Sequence, residues 1–283
     1  MTPLLPTADL ARRVAEAAHA VRASSDLVPR VGLTLGSGLG GAIDALERAT
    51  ALATAGLPHW PRSTVAGHAG RLALGYWAGV PVVALAGRSH RYEGYTLDRV
   101  TFGLRVMHAL GARVLLFTNA VGAIHPGFEP GDLMLATDHI NFIGKRGLLA
   151  PDELRERRLG RRVATYYSPR LRRLLLEASL RAGIPLHQGT LMGGIGPTYE
   201  TAAEIQFADA IGADVACMST VHEVTVAAEL GCEAASISCI TNRATGLSDA
   251  PLTHEDVTEV AHRGAAALRA VITEFLKAEA AGA

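Results

Sequence analysis

Apolar residues recur along the chain with two periods, and the changes between them predict the elements. From Thr7 or Asp9, either of which can cap a helix, an interrupted amphipathic pattern runs to about Ser24 and predicts a first helix over 7–24. VGLTLG is a short continuous apolar run, the pattern of a buried strand, and it leads into a glycine loop. RLALGYWAGVPVVALAG reads as two strands joined through Ala78-Gly79, which makes an antiparallel hairpin and breaks a simple βαβ repeat. Asp98 to Leu110 has helical periodicity, and ARVLLFTNAVG and DLMLATDHI predict further buried strands on either side of the turn-forming HPGFEPG. Then a helix over Pro169–Ala182, strand LHQGTLMGGIG, a helix over Thr201–Ile211, strand ADVACMS, helix VHEVTVAAELG and strand EAASISCITN alternate. Thr253 caps a last helix over 253–278, whose apolar face is Val257, Val260, Ala261, Leu268, Val271, Ile272 and Phe275. Between about Gly144 and Pro169 the pattern fails. Arg155, Arg157, Arg158, Arg161 and Arg162 stand there among few apolar residues, which predicts a long excursion from the core.

The alternation predicts an α/β fold with a mixed sheet, and the absence of repeats or linkers predicts a single domain over 1–283. Lys+Arg and Asp+Glu are both 27, so no net field favours nucleic acid or an anionic membrane, and a small-molecule partner is expected. Cys217, Cys232 and Cys239 lie in apolar runs without C-x-x-C spacing, as core thiols of a reducing compartment do. The N-terminus lacks a basic-then-apolar signal, and no apolar run reaches the roughly 18 residues of a spanning helix, so a cytoplasmic location without membrane contact is expected.

LGSGLGG raises the question of a dinucleotide site, because Gly36, Gly38 and Gly41 satisfy G-x-G-x-x-G. Such a site needs an acid about 20 residues further on for the ribose hydroxyls. After Glu47 the next acid is Glu93, and the following hairpin violates the βαβ context. A nicotinamide-dependent oxidoreductase is thereby disfavoured. The loop still suits a simpler anion: glycines admit backbone N–H groups, and Ser37 adds a hydroxyl donor. In GRSHRYEGY, Arg88 and His90 follow the end of a buried strand, where α/β sheets place ligand contacts, and an arginine fork holds phosphate oxygens bidentately.

LGSGLGG, VAGHAGRLALG, GRSHRYEGY, TNAVGAIHPGFEPGDLMLATDHIN, GGIGPTYETAAEIQ, GADVACMSTVHEV and SCITNRATGLS cover most of Val31 to Ser248. In this order and at this approximate spacing they resemble the trimeric purine nucleoside phosphorylase family, in its 6-oxopurine branch. The resemblance implies a mixed twisted sheet, partly barrel-like and flanked by helices. It also implies reversible phosphorolysis of purine ribo- and deoxyribonucleosides such as inosine and guanosine, giving free base and (deoxy)ribose 1-phosphate in purine salvage. Inorganic phosphate would be a co-substrate, with no organic cofactor and no metal, and the assembly a homotrimer. On the family pattern Ser37, His68, Arg88, His90, the backbone of Ala120 and Ser219 would surround the phosphate. Tyr92, Met218 and His254 would contact the ribose, Tyr199 would pack on the base, and Asn242, Glu200 and His90 would form the catalytic set.

The residue types suit that chemistry. A transition state with an oxocarbenium-like ribose and a departing purine anion needs electrostatic placement at both ends. Glu200 can accept from N1–H of hypoxanthine or guanine, whereas adenine's unprotonated N1 repels a carboxylate. Asn242 can donate to N7 and O6 as charge grows on the base. Related methylthioadenosine phosphorylases typically carry serine and aspartate at these places. Taken singly, Glu200 could instead stabilise the start of the helix near Thr201, and Asn242 could be a strand-end turn former. Met218 by itself looks like core, His254 could be a surface helix residue, and His222, where relatives commonly have proline, reads as a helix-start substitution. His108, His125 and His139 form no convincing metal set.

The arginine-rich stretch departs from the family. Relatives usually offer an aromatic there that reaches a neighbouring subunit's ribose pocket, whereas this chain has RERRLGRRVATYYSP, with Val163 at that place and Tyr166 or Tyr167 as substitutes. A xanthosine-preferring phosphorylase, a methylthioadenosine phosphorylase and a catalytically weak nucleoside-binding module are the remaining readings.

Overall fold

The computed structural model describes residues 7–65, 70–144, 166–248 and 254–281. Its centre is a nine-stranded sheet in the order β2-β3-β4-β1-β5-β8-β7-β6-β9, with a further pairing of β5 to β9. The strands are β1 Val31–Leu35, β2 Glu47–Ala53, β3 Arg71–Trp77, β4 Val80–Ala86, β5 Val114–Ala123, β6 Leu133–Asn141, β7 Leu186–Gly193, β8 Val215–Cys217 and β9 Glu233–Arg243. The helices are α1 Thr7–Arg22, α2 Leu97–Val100, α3 Phe102–Leu110, α4 Pro169–Ala182, α5 Ala202–Ala210, α6 Val221–Glu229 and α7 His254–Ala281.

Strand β5 is the branch point. Its first half pairs in parallel with β1, Val31 opposite Val114, and also with β9, Val114 opposite Glu233. From β9 the ring runs through antiparallel β6, parallel β7 and parallel β8, and it closes on the far end of β5, where Gly122 faces Ala216. Five strands thus form the barrel-like part of the mixed sheet. β1, β4, β3 and β2 extend it as an open wing, with the expected hairpin turning through Ala78 at φ 50° and Gly79 at φ 80°. Two successive positive φ values suit the right-handed twist of the flanking strands.

Both faces of β1 are covered, which is why it reads as a continuous apolar run and is buried throughout. On one side α1, α3 and α6 pack Val21, Met107 and Val224 into one core; on the other, Leu171 and Leu175 of α4 and Leu268, Ile272 and Phe275 of α7 form a second. Glu279 ties this second layer together. Its buried carboxylate accepts from Arg170 at 2.5 Å and Arg30 at 3.2 Å, and Arg170 also pairs with Glu233 of β9 at 2.6 Å.

Five details differ from the sequence expectations. α1 stops at Arg22 rather than Ser24, and α7 is described from His254 to Ala281, longer than 253–278. The helix expected over Asp98–Leu110 is broken at Thr101, whose hydroxyl donates to the Leu97 carbonyl at 2.7 Å and competes with the helical backbone. β2 was not expected at all: ERATALA is an exposed edge strand, so its side chains lack the apolar face that marks a strand. On α7, Val260 is only half-buried, while Leu276 joins the core.

Candidate active site

A cavity enclosing about 770 Å³, mouth included, opens where β1, β4, β5, β8 and β9 end. Ser37 enters it from the loop after β1, and Arg88, His90 and Tyr92 from the segment after β4. Ala120 comes from β5, Met218 and Ser219 follow β8, Tyr199 and Glu200 precede α5, and Asn242 lies near the end of β9. His68 lies outside the described residues. His254 opens α7, but its side chain also lies outside them; Val257, one turn later, does reach the cavity.

The glycine loop does not lead into an α-helix. It runs into a six-residue 3-10 helix, Gly40–Ala45, and then to the edge strand β2, so the helix N-terminus of a dinucleotide site is missing. Gly36 is required for another reason. A Cβ there would stand 2.7 Å from the Thr118 carbonyl oxygen, and the Gly36 amide donates to Thr118 Oγ1 at 3.1 Å, so the loop lies directly on β5.

Arg88 is buried, and its guanidinium is held from three directions. Nη1 donates to Ser219 Oγ at 3.0 Å, Nη2 to the Thr118 carbonyl at 2.8 Å, and Nε lies 3.3 Å from the buried carboxylate of Glu223. Ser219 itself starts a γ-turn: the Val221 amide donates to the Ser219 carbonyl at 2.8 Å, with Thr220 at φ 69°, ψ −51°. That backbone conformation costs on the order of 1–3 kcal/mol for a β-branched residue. Next to Arg88, the His90 and Tyr92 rings stack with centroids 4.8 Å apart. Burial pushes the Tyr92 hydroxyl up to about 12, so it is a neutral donor at physiological pH.

Glu200 and Asn242 are set by different devices. The first turn of α5 is capped by Thr201, whose amide donates to Glu204 at 2.7 Å while its hydroxyl accepts the Glu204 amide at 3.2 Å. The capping carboxylate is therefore Glu204, and Glu200 turns into the cavity, half-buried, where desolvation raises its pKa. Asn242 is not in a turn. It sits inside β9, beyond a register shift in which Val121 faces Ile240 but Gly122 faces Asn242, so Thr241 is the extra residue of a bulge. The Thr241 hydroxyl donates to Asn242 Oδ1 at 2.8 Å and Asn242 Nδ2 donates to the Arg243 carbonyl at 2.8 Å, leaving a second Nδ2 hydrogen for other use. Close packing also shapes the wall, since a Cβ on Gly196 would meet Met218 Sδ at 2.5 Å and Tyr92 at 3.0 Å.

Several lining residues were missed by sequence reasoning, among them Asn119, Thr241 and Thr245. For Asn119 and Thr241 the signal was adjacency to Ala120 and Asn242 on β5 and β9, whereas Thr245 lies past the end of β9. Glu223, which contacts Arg88 from behind, carried no separate signal. His222 does occupy a helix start, but it is fully buried, and among the described residues neither ring nitrogen has a hydrogen-bond partner. Burial and the nearby Arg88 push its pKa down to about 3, so it is neutral. All three cysteines are buried free thiols; burial pushes Cys217, at the cavity wall, up to about 12. Among the described residues no group of three or more His, Cys, Asp or Glu is placed to hold a metal ion. Tyr167 is a correction to the expected subunit-crossing aromatic: it is completely buried, with its ring edge-on to His139, whereas Tyr166 is half-buried against the same histidine. Residues 145–165, Val163 included, lie outside the described residues. No described helix is long and apolar enough to cross a membrane.

Residues 30–277 match the family model described as the phosphorylase superfamily. Among curated proteins, "Purine nucleoside phosphorylase 1" of Geobacillus stearothermophilus is 42% identical over 94% of this chain and 95% of its own length. The Bacillus subtilis protein of the same name is 42% identical over 89% and 93%. Among solved structures, Schistosoma mansoni purine nucleoside phosphorylase in complex with inosine superposes with a TM-score of 0.85 at 29% identity, covering 94% of this chain and 96% of that one.

Proposed function

This chain belongs to the phosphorylase superfamily and, within it, to the purine nucleoside phosphorylase family, and from that premise we propose how its cavity carries out reversible phosphorolysis of purine nucleosides. The observation that carries the reading is that one cavity holds a buried arginine with hydroxyl groups and, in its lining as well, a half-buried carboxylate and an oriented amide. The first set suits a phosphate and the second a 6-oxopurine.

Phosphate is taken by Arg88, Ser37, His90, Ser219 and the backbone of Ala120, with His68 completing the set. Its oxygen attacks C1′ of the ribose as the bond from C1′ to N9 of the base breaks, and the electron pair of that bond leaves with the purine. The phosphate is both nucleophile and counter-charge to the oxocarbenium-like sugar. Tyr92, Met218 and His254 hold the ribose, and Tyr199 packs on the base. Glu200 accepts from N1–H, which selects inosine and guanosine over adenosine. Asn242 donates its second amide hydrogen to N7 or O6 as the base becomes anionic, an interaction strengthened in the transition state. The scheme uses inorganic phosphate as co-substrate, without an organic cofactor or a metal, in a cytoplasmic homotrimer built from single-domain chains. The xanthosine and methylthioadenosine readings are not favoured by the names of the relatives.

The test is hypoxanthine release from inosine with and without phosphate, with adenosine and xanthosine alongside. Phosphate-dependent release from inosine with adenosine nearly inert is the expected result. Nucleoside binding with no phosphate-dependent release would replace this reading by a binding module.

A further inference from the structure

We infer that Glu223 is a positioning residue for the phosphate end of the cavity, fixing the Arg88 guanidinium and offsetting part of its charge. This rests on the reading that phosphate binds against Arg88.

One carboxylate oxygen joins two parts of the site. Glu223 Oε2 lies 3.3 Å from Arg88 Nε and also accepts the Thr220 amide at 3.1 Å. By accepting the Thr220 amide, the Glu223 carboxylate reaches back over the first turn of α6 and closes it. The turn closed in this way is the strained one that presents Ser219, and Ser219 Oγ accepts from Arg88 Nη1 at 3.0 Å. Arginine, serine and glutamate therefore form one closed circuit. A displacement of Glu223 would release the guanidinium plane and the γ-turn together.

The circuit has an electrostatic consequence as well. The side chains of Arg88 and Glu223 are 3% and 4% exposed. A cation so deeply buried is strongly disfavoured without counter-charge, and the Glu223 carboxylate supplies negative charge beside it. An arriving phosphate then shares the guanidinium with Glu223 instead of meeting its whole charge. Phosphate and the anionic sugar phosphate product are accordingly held less tightly than by a lone arginine.

The geometric and electrostatic roles separate by substitution. Glu223→Gln keeps an oxygen that can accept the Thr220 amide and lie against Arg88 but removes the charge; Glu223→Ala removes both. Steady-state phosphorolysis of inosine would be measured with each substrate varied at saturation of the other, and thermal unfolding with and without inorganic phosphate.

For Glu223→Ala, the phosphate KM is expected to rise about tenfold, with the inosine KM changed by less than about twofold. For Glu223→Gln, the phosphate KM is expected at or below the wild-type value, and phosphate should raise the Tm more than it does in wild type. A purely structural role would move both KM values, or neither, and would not separate the two variants. A wild-type phosphate KM in Glu223→Ala, or a raised one in Glu223→Gln, would overturn the inference. Should the alanine variant fail to fold, the glutamine variant decides alone. Arg88→Ala guards the premise: an unchanged phosphate KM in that variant would refute phosphate binding at Arg88 and leave Glu223 without a role there.

Discussion

The Glu93 carboxylate closes on the backbone and ring of His90, accepting the amide at 2.6 Å and lying 3.2 Å from Nδ1. A carboxylate at Nδ1 keeps the ring hydrogen there and so sets the tautomer. The tautomer in turn fixes which nitrogen serves as partner elsewhere, so a residue outside the cavity lining determines how His90 presents itself. Glu93 also accepts from the amide and hydroxyl of Thr64 at 2.5 Å and 2.9 Å. Burial opposes its ionisation, but the hydrogen bonds from His90 and Thr64 prevail and hold its pKa at about 2.

A pH dependence follows, and its sign is fixed by that depression. Because the folded pKa lies below the ordinary 4.5, Glu93 adds stability above pH 4.5 and loses it as the pH falls towards about 2. Glu93→Gln is expected to be less stable than wild type at pH 7, with the gap narrowing between pH 5 and pH 3. Urea unfolding of both proteins across that range checks it, and a constant gap would remove Glu93 from the acid response.

Asn242→Ala should lower turnover on inosine and guanosine by about a hundredfold, the magnitude of a lost transition-state donor. Stopped-flow or steady-state kcat on both nucleosides would show this. Near-wild-type turnover would take Asn242 out of the mechanism.

On the proposed reading, an ionised Glu200 accepts from N1–H more strongly than its protonated form, and burial raises its pKa, so 6-oxopurine recognition should fade at a higher pH than an ordinary carboxylate would give. The acid limb of kcat/KM for inosine should therefore lie above the usual carboxylate range and be lost in Glu200→Gln. Glu200→Ala should weaken 6-oxopurine binding while leaving folding intact. An identical pH profile in wild type and Glu200→Gln would assign N1–H to another group.

His222 makes a different kind of prediction, because its imidazole is buried and, among the described residues, has no hydrogen-bond partner. Leucine has a similar volume and no polar atoms to leave unpaired, so His222→Leu should be neutral or raise stability by about 1 kcal/mol. Chemical denaturation measures this directly. A loss of about 2 kcal/mol or more would mean that the imidazole is engaged by a buried water or ion.

The sequence by itself determined the local elements and most of the cavity's cast. Continuous apolar runs mark β1, β5 and β6, the Ala78-Gly79 pair marks the hairpin, and the ordered motifs contain Ser37, Arg88, Glu200 and Asn242. Periodicity and turn chemistry report the conformation of neighbouring residues, so these features were legible. Tertiary structure decided what depends on remote partners. The pairing of β5 with β9 closes the ring, and the bulge at Thr241 aims Asn242, because two strands far apart in sequence fall out of register there. The exposed edge β2, the burial of Tyr167 and His222, and the contact of Glu223 with Arg88 are of the same kind. A side chain's burial and its charge partner are set by what another segment brings to it, and no local pattern records that.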